Sequence, residues 1–137
     1  MPQTTVAAII TRLRESTEQI LLTRRNVEPF KGKWCLPGGH IDPYEVVREA
    51  VVREVEEETG LLYRPRFYGY FDEIMPDHGI HHVVIVFEGH GEGELHAQES
   101  EVSEMGWFSV SECRSLPLAF RHHDILSSYA MRQGRKS

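Results

Sequence analysis

Residues 39–61 have the sequence GHIDPYEVVREAVVREVEEETGL, and this segment decides the fold. Asp42, the proline after it and Glu45 form the pattern of a helix start, with an N-cap, a proline in the first turn and a capping-box glutamate. Gly60 is a typical residue to end a helix. The segment therefore predicts a helix over residues 43–59.

Three glutamates of this helix lie where apolar residues are expected. At about 100° per residue, Glu54, Glu57 and Glu58 fall inside the apolar arc of the helix, three and four positions apart. We call them the three helix carboxylates. Their charges repel one another, they lie near the negative end of the helix dipole, and burial of unpaired carboxylates is costly. Arg53 alone cannot compensate them. A hard divalent cation, Mg²⁺ or Mn²⁺, is the partner that carboxylate oxygens favour.

Strand patterns lie on both sides of this helix. The run VVIVF at residues 83–87 is continuously apolar, as in strands buried on both faces. Strands before and after one central helix, with a second helix at the end, predict an α/β fold in which a mixed sheet is covered on both faces. The predicted strands are 4–10, 19–23, 66–74, 82–87 and 105–110, the loop after the fourth is 88–98, the final helix is 119–131, and a basic tail follows at 133–137.

Composition limits the class of protein. The 137 residues are 40% hydrophobic and are expected to form one folded domain, residues 1–137. The net charge of −6 argues against a nucleic-acid partner. No apolar run approaches the ~18–20 residues of a membrane span, and the N-terminus lacks a secretory pattern. Cys35 and Cys113 form no CxxC motif and are expected to be reduced thiols, so we expect a cytoplasmic protein.

The same segment resembles a known motif. It has the form G-x5-E-x7-R-E-V-x-E-E-x-G-L, which matches every fixed position of the Nudix box. Residues 21–25, 32–39 and 104–112 resemble the usual surroundings of that box. The resemblance implies the Nudix α/β/α sandwich, with a mixed sheet between helices. It also implies a hydrolase for nucleoside diphosphates linked to another moiety X, so the expected partner is a small nucleotide and the expected cofactor is Mg²⁺ or Mn²⁺.

The resemblance suggests individual roles. The three helix carboxylates are similar to the metal-binding and base carboxylates of the family, and Glu57 and Glu58 are the candidates for the base within the motif. The Gly38 carbonyl resembles a backbone metal ligand. Arg53 and Glu45 resemble supporting residues that orient the carboxylates through charge-assisted hydrogen bonds.

A glutamate in a late loop is an alternative base or a further metal ligand, as in some members of the family. Glu99, Glu101 and Glu104 are the candidates here. We favour Glu101 because it lies in the loop that leads into the last predicted strand. The alternative is that all three only keep that loop solvated.

The nature of X stays open. Pro76 lies 15 residues after Leu61, which resembles the ADP-ribose pyrophosphatase pattern and favours ADP-ribose or a nucleotide-sugar. An ordinary loop proline is the alternative interpretation. A compact chain also fits a (deoxy)nucleoside triphosphate pyrophosphatase of the pool-cleansing type. A non-catalytic module that binds nucleotide-sugars is a third alternative, although the box is intact.

Several other residues are candidates for binding. Arg24 and Arg25 end a strand, and strand alternation points only one of them inward, toward phosphate or a carboxylate. Three histidines cluster around a turn, and a zinc site, substrate binding by one of them and plain loop or strand positions all stay open. The pair of histidines at 122–123 is expected at the surface. A homodimer stays open, because no apolar stripe assigns an interface. The clustered histidines are His78, His81 and His82.

Overall fold

The computed structural model describes residues 1–136. None of the helices in that range has the length and apolar character that crossing a bilayer requires. A 3₁₀ turn (Pro76–His78) joins the two longest strands. The remaining elements, in chain order, are β1 (Gln3–Arg14), β2 (Thr17–Arg25), β3 (Trp34–Cys35), β4 (Gly38–His40), α1 (Val47–Thr59), β5 (Leu62–Met75), β6 (Ile80–Glu92), β7 (Val102–Ser109), α2 (Val110–Cys113) and α3 (His122–Lys136).

The strands form one seven-stranded sheet. Its main order is β3-β2-β1-β6-β5, while β4 pairs with β1 and β7 pairs with β2. β1 and β6 run parallel, and the other pairs are antiparallel. The prediction of a mixed sheet is confirmed.

Both faces of the sheet are covered. Val6, Ala8 and Ile10 of β1 pack in the core cluster under α1, and Ala7 and Ile9 pack in a second cluster with residues of α3. This alternation follows from the two-residue period of a strand. The predicted helix–sheet–helix sandwich is therefore also confirmed.

β1 changes its partner along one edge. Its residues Thr5 to Ala7 pair with β4, whereas Thr11 to Arg14 pair with β2. β2 and β4 therefore share one side of β1 without continuing each other. Side chains of both strands surround the space where they part.

The start of the first helix was predicted wrongly. α1 begins at Val47, with Val46 as an N-cap that makes no side-chain cap bond. Tyr44 has a φ of 64°, which a right-handed helix cannot include. The Glu45 carboxylate does accept from the Asp42 N–H at 3.0 Å, as a capping box requires. That bond closes a loop before the helix. Arg53 holds the same carboxylate from the other side.

The long hairpin also exceeds its prediction. β5 and β6 pair from Leu62↔Glu92 to Met75↔Ile80, so residues 88–92, predicted as loop, are strand. Pairing supplies backbone hydrogen-bond partners that residue propensities in this glycine-containing stretch did not indicate. At the other end, Phe120 has a φ of 53°, so the last helix starts at His122 and not at residue 119. It continues through the predicted basic tail to Lys136, and Ser137 lies outside the described residues.

His122 is buried, contrary to the surface position expected from the sequence. It is only 7% exposed, and the Leu36 backbone N–H donates to its Nδ1 at 3.0 Å. The ring therefore provides the acceptor that a buried amide needs. Burial, together with the nearby charge of Arg25, lowers the pKa of His122 to about 3.

This burial predicts a dependence of stability on pH. Below pH about 6.5, the unfolded chain binds a proton at His122 and the folded chain does not. The free energy of unfolding therefore falls by about 1.4 kcal/mol for each unit by which the pH is lowered. The stability is complete above pH about 6.5 and is lost as the pH falls toward 3. His122→Gln keeps an acceptor and should remove this slope. Urea unfolding at pH 6.5 and 5.5 measures it, with exposed His123→Gln as the control. Parallel losses in wild type and His122→Gln would contradict the assignment.

The end of α1 supplies a second prediction. Gly60 has a φ of 80°, and a Cβ there would lie 3.0 Å from the His96 Cβ and 3.1 Å from the Glu94 carbonyl oxygen. Gly79 has a φ of 67° with open space around it. Gly79→Ala should cost about 1–2 kcal/mol for the left-handed backbone alone, and Gly60→Ala should cost more. Chemical denaturation of both variants compares them, and equal losses would show that the crowding at Gly60 has no effect.

Candidate active site

A cleft of about 530 Å³ opens where β2 and β4 part along β1. This volume suits a nucleotide-sized ligand. Two sets of polar side chains line it. The first, from α1 and β4, contains Glu54 and Glu58, and the second, from β5 and β6, contains Glu73 and His82.

Glu54 and Glu58 form a buried carboxyl pair. Glu58 is 8% exposed, and its Oε2 accepts from the Gly38 N–H at 3.0 Å. Burial first, and the neighbouring Glu54 second, hold the pKa of Glu58 well above its usual range. Burial also raises the pKa of Glu54, whose charge lies beside that of Glu58. Arg53 gives Glu54 one cationic partner, whereas Glu58 makes no ion pair within residues 1–136, so the pair is only partly compensated.

Two glycines let β4 approach this pair. A Cβ at Gly39 would lie 2.7 Å from a carboxylate oxygen of Glu54. A Cβ at Gly38 would collide with the Val6 carbonyl oxygen of the paired strand β1. The backbone of β4 can therefore lie between β1 and the carboxyl groups of α1 only because both side chains are absent.

Arg53 joins the helix to the loop before it. Its Nε and Nη2 donate to the two oxygens of Glu45 at 2.7 and 3.0 Å, a bidentate geometry. Its Nη1 donates to Glu54 at 2.9 Å and to Glu57 at 3.1 Å, and its Nη2 also donates to the His40 carbonyl at 3.1 Å. These bonds, led by those to Glu45, raise the pKa of Arg53. The bond from Arg53 lowers the pKa of Glu45.

Glu57 lies outside the cleft. Its side chain is 48% exposed and pairs with Arg53, so the prediction that it faces the buried arc is wrong. Glu57 stands at the edge of that arc, four positions after an arginine that holds it outward. Of the three helix carboxylates, the structure brings Glu54 and Glu58 together in the cleft.

The late-loop glutamates separate clearly. Glu101 lines the cleft, and its charge also contributes to the raised pKa of Glu58, after burial and Glu54. Glu104 instead pairs with Arg24 at 3.4 Å, and Glu99 uses its carbonyl to accept from an asparagine side chain. Only Glu101 of the three lies beside the carboxyl pair.

The donor set fits a hard cation. Within residues 1–136, no three His, Cys, Asp or Glu side chains converge as a complete metal cage. Mg²⁺ is usually bound by one or two carboxylates together with substrate phosphates and water, so a full cage is not required. The buried pair of Glu54 and Glu58 could supply the two carboxylates, and a cation would neutralise both.

The predicted substrate-binding residues occupy different places. Arg25 lines the cleft, with its guanidinium 4.9 Å from the Phe120 ring centroid, and its Nε donates to the Pro29 carbonyl at 2.7 Å. Arg24 is turned away and donates to a loop carbonyl, so only one of the two arginines faces inward. Pro76 begins the 3₁₀ turn and is not among the residues that line the cleft.

Four cleft residues were not assigned a role from the sequence. Glu73 is 3% exposed. It lies two positions after partly buried Phe71 in β5, and this spacing was the sequence signal that its side chain faces inward. His82 belongs to the predicted histidine cluster, His122 was expected at the surface, and no sequence pattern assigns a role to Phe120. Their meeting depends on the β5–β6 register and on the chain turn before α3, which local patterns do not specify.

Comparisons with known proteins agree with this geometry. The NUDIX domain profile matches residues 1–129. The chain is 38% identical over 127 residues to the ADP-ribose pyrophosphatase of Methanocaldococcus jannaschii, covering 90% of this chain and 72% of that protein. It is 31% identical over 113 residues to the 8-oxo-dGDP phosphatase of Mus musculus, covering 80% of this chain and 33% of that protein.

The fold also matches a solved structure. The MutT NUDIX hydrolase from Burkholderia pseudomallei superposes with a TM-score of 0.82 at 32% identity, covering 93% of this chain and 97% of that one. Hydrolases of this family generally use a divalent metal ion. From the profile match over most of the chain, the chain belongs to the Nudix family and is a Nudix pyrophosphatase.

Proposed function

We propose that residues 1–137, acting as one domain, hydrolyse the pyrophosphate bond of ADP-ribose or a related nucleotide-sugar with Mg²⁺ or Mn²⁺. The observation that carries the proposal is the buried pair of Glu54 and Glu58 in a cleft of nucleotide size. The similarity to an ADP-ribose pyrophosphatase over nine-tenths of the chain supports this substrate.

Glu54, Glu58 and the Gly38 carbonyl would hold the cation, with Glu101 as a further ligand. A cation bound there neutralises phosphate charge and lowers the pKa of a water. Glu54 keeps its position through Arg53, which is itself fixed by the bidentate contact with Glu45. Arg53 and Glu45 therefore act as positioning residues.

The reaction is an attack of water on phosphorus. One P–O bond forms, the anhydride P–O bond breaks, and a carboxylate accepts the proton of the water. For ADP-ribose, the products are AMP and ribose 5-phosphate. Glu58, Glu57 and Glu101 are the candidates for this base. Glu58 is in the cleft and Glu101 lines its rim, whereas Glu57 needs a rotation away from Arg53 to reach the substrate.

The substrate phosphates need donors on the protein. Arg25 is our choice for a phosphate contact, because it is the arginine of the pair that lines the cleft. Arg24 lies outside it and would act only by holding the adjoining loop. Pro76 would act at a distance, through the turn in which His78 packs on Phe30 with ring centroids 4.7 Å apart.

A second candidate function is hydrolysis of a nucleoside di- or triphosphate of the pool-cleansing type. The similarity to the mouse 8-oxo-dGDP phosphatase and to a MutT hydrolase structure favours it. The same carboxylates would serve both reactions, so the two functions differ in the group that occupies the rest of the cleft.

Product analysis separates the two functions. Purified protein with Mg²⁺ is incubated with ADP-ribose, ADP-glucose, the (d)NTPs and 8-oxo-dGDP, and the products are separated by anion-exchange chromatography. We expect AMP and ribose 5-phosphate from ADP-ribose at the highest kcat/KM. Faster release of a nucleoside monophosphate from a di- or triphosphate would favour the second function, and no turnover of any member would reject both.

Glu58→Gln tests the carboxyl pair. The amide keeps the shape and can donate to Glu54, so the metal-free variant should melt no lower than wild type. We expect kcat to fall by about 10²-fold or more, and the rise in Tm on adding Mg²⁺ to disappear, because a ligand stabilises only the state that binds it. Glu56→Gln, on the exposed side of the same helix, is the matched control. Full turnover by Glu58→Gln with saturating Mg²⁺ would contradict the proposed site.

A further inference from the structure

The second polar set of the cleft is a buried pair, Glu73 and His82. Glu73 Oε1 lies 2.8 Å from His82 Nδ1, and the two side chains are 4% and 14% exposed. The other oxygen of Glu73 accepts from the Arg121 backbone N–H at 3.4 Å. A buried carboxylate at the floor of a nucleotide cleft, away from the metal-binding set, needs a reason of its own.

These contacts select the tautomer of His82. Both oxygens of Glu73 act as acceptors, so the proton of the Glu73–His82 hydrogen bond belongs to Nδ1. A neutral ring with its proton on Nδ1 presents Nε2 as an acceptor. Within residues 1–136, Nε2 of His82 has no hydrogen-bond partner, although the side chain is largely buried and lines the cleft.

An aromatic surface lies beside this acceptor. The Phe120 ring centroid is 6.3 Å from that of His82 and 5.0 Å from that of Phe30. Phe120 and Phe30 have φ values of 53° and 64°, a strained backbone conformation for bulky residues, and such strain clusters at ligand sites. Flat rings of this kind stack on nucleobases.

The two polar sets are close enough to hold two parts of one substrate. His40 follows the glycines of β4, and its carbonyl accepts from Arg53 of the catalytic helix. Its ring packs edge-on against His82, with centroids 5.7 Å apart. A nucleotide with its phosphates at Glu54 and Glu58 would therefore extend its base toward His82 and Phe120.

We propose that the Glu73–His82 pair, with Phe120 beside it, recognises the exocyclic amino group of the substrate's nucleobase. His82 Nε2 accepts a hydrogen bond from that amino group, and Glu73 is a positioning residue that holds the tautomer. The inference rests on the proposed function, because it requires the substrate phosphates to lie at Glu54 and Glu58. Adenine, with an amino group at position 6, and cytosine, with one at position 4, are preferred over bases with an oxo group at that position.

A matched substrate pair tests this recognition. ADP-ribose and IDP-ribose differ at position 6 of the purine, where an amino group is replaced by an oxo group, and ATP and ITP form the same pair for the second candidate function. We expect wild type to prefer the amino substrate by about tenfold or more in kcat/KM, since two acceptors, His82 Nε2 and an oxo group, facing each other in the cleft are unfavourable.

Two variants distinguish recognition from a structural role. In Glu73→Gln, the amide oxygen still accepts from Arg121 N–H while the amide nitrogen donates to His82 Nδ1, so Nε2 must carry the proton. The preference should then shift toward the oxo base by about tenfold or more. His82→Phe keeps a ring but removes the acceptor and should abolish the preference. His81→Ala, an exposed neighbour on the same strand, should keep the wild-type ratio.

The outcomes are separable. A wild type that does not distinguish the pair, or prefers the oxo base, overturns the inference, as does an unchanged ratio in both variants. Calorimetric binding of AMP and IMP with Mg²⁺ tests recognition without hydrolysis. If neither nucleotide-sugar is cleaved but AMP binds more tightly than IMP, the proposed function fails and the inference stands. Melting temperatures of all variants show whether each one is folded.

Discussion

The structure depends on placing two carboxyl groups, Glu54 and Glu58, between a helix and a sheet. One turn apart on α1, they face the same side as the valines that bury the helix, and burial holds the pKa of each above its usual range. The pair is unfavourable in the folded chain alone, and the proposed cation would relieve it. Burial of these two carboxyl groups lowers the free energy of unfolding, and we propose that it serves cation binding.

The surroundings of the pair follow from that choice. β4 has to lie against both α1 and β1, which only Gly38 and Gly39 permit. A single cation, Arg53, is placed at the rim, where it holds Glu54 without entering the cleft. Arg53 is held in turn by Glu45, which lies in the non-helical loop before α1. The Nudix box thus encodes one local network. Arg53 pairs with Glu45 and Glu54, and Gly39 leaves room for the Glu54 carboxylate.

That locality explains how much the sequence could predict. Helical periodicity was enough to place Glu54 and Glu58 inward, and strand periodicity was enough for the sandwich, because both depend on neighbours within two turns or a few residues. The prediction failed where a longer contact competed. Arg53 pairs with the exposed Glu57, and the positive φ of Tyr44 keeps the Asp42–Glu45 contact outside the helix. His122 was misplaced because its partner, the Leu36 amide, is 86 positions away.

The two halves of the cleft differ in the same way, since one is mostly local in sequence and the other depends on distant contacts. The residues of its carboxylate half other than Glu101 come from one continuous segment, so a motif identifies them. Its other half is assembled from β5, β6 and the turn before α3, whose residues meet only through sheet register. If the Glu73–His82 pair recognises the base as we propose, substrate choice depends on a tertiary contact that no local motif contains.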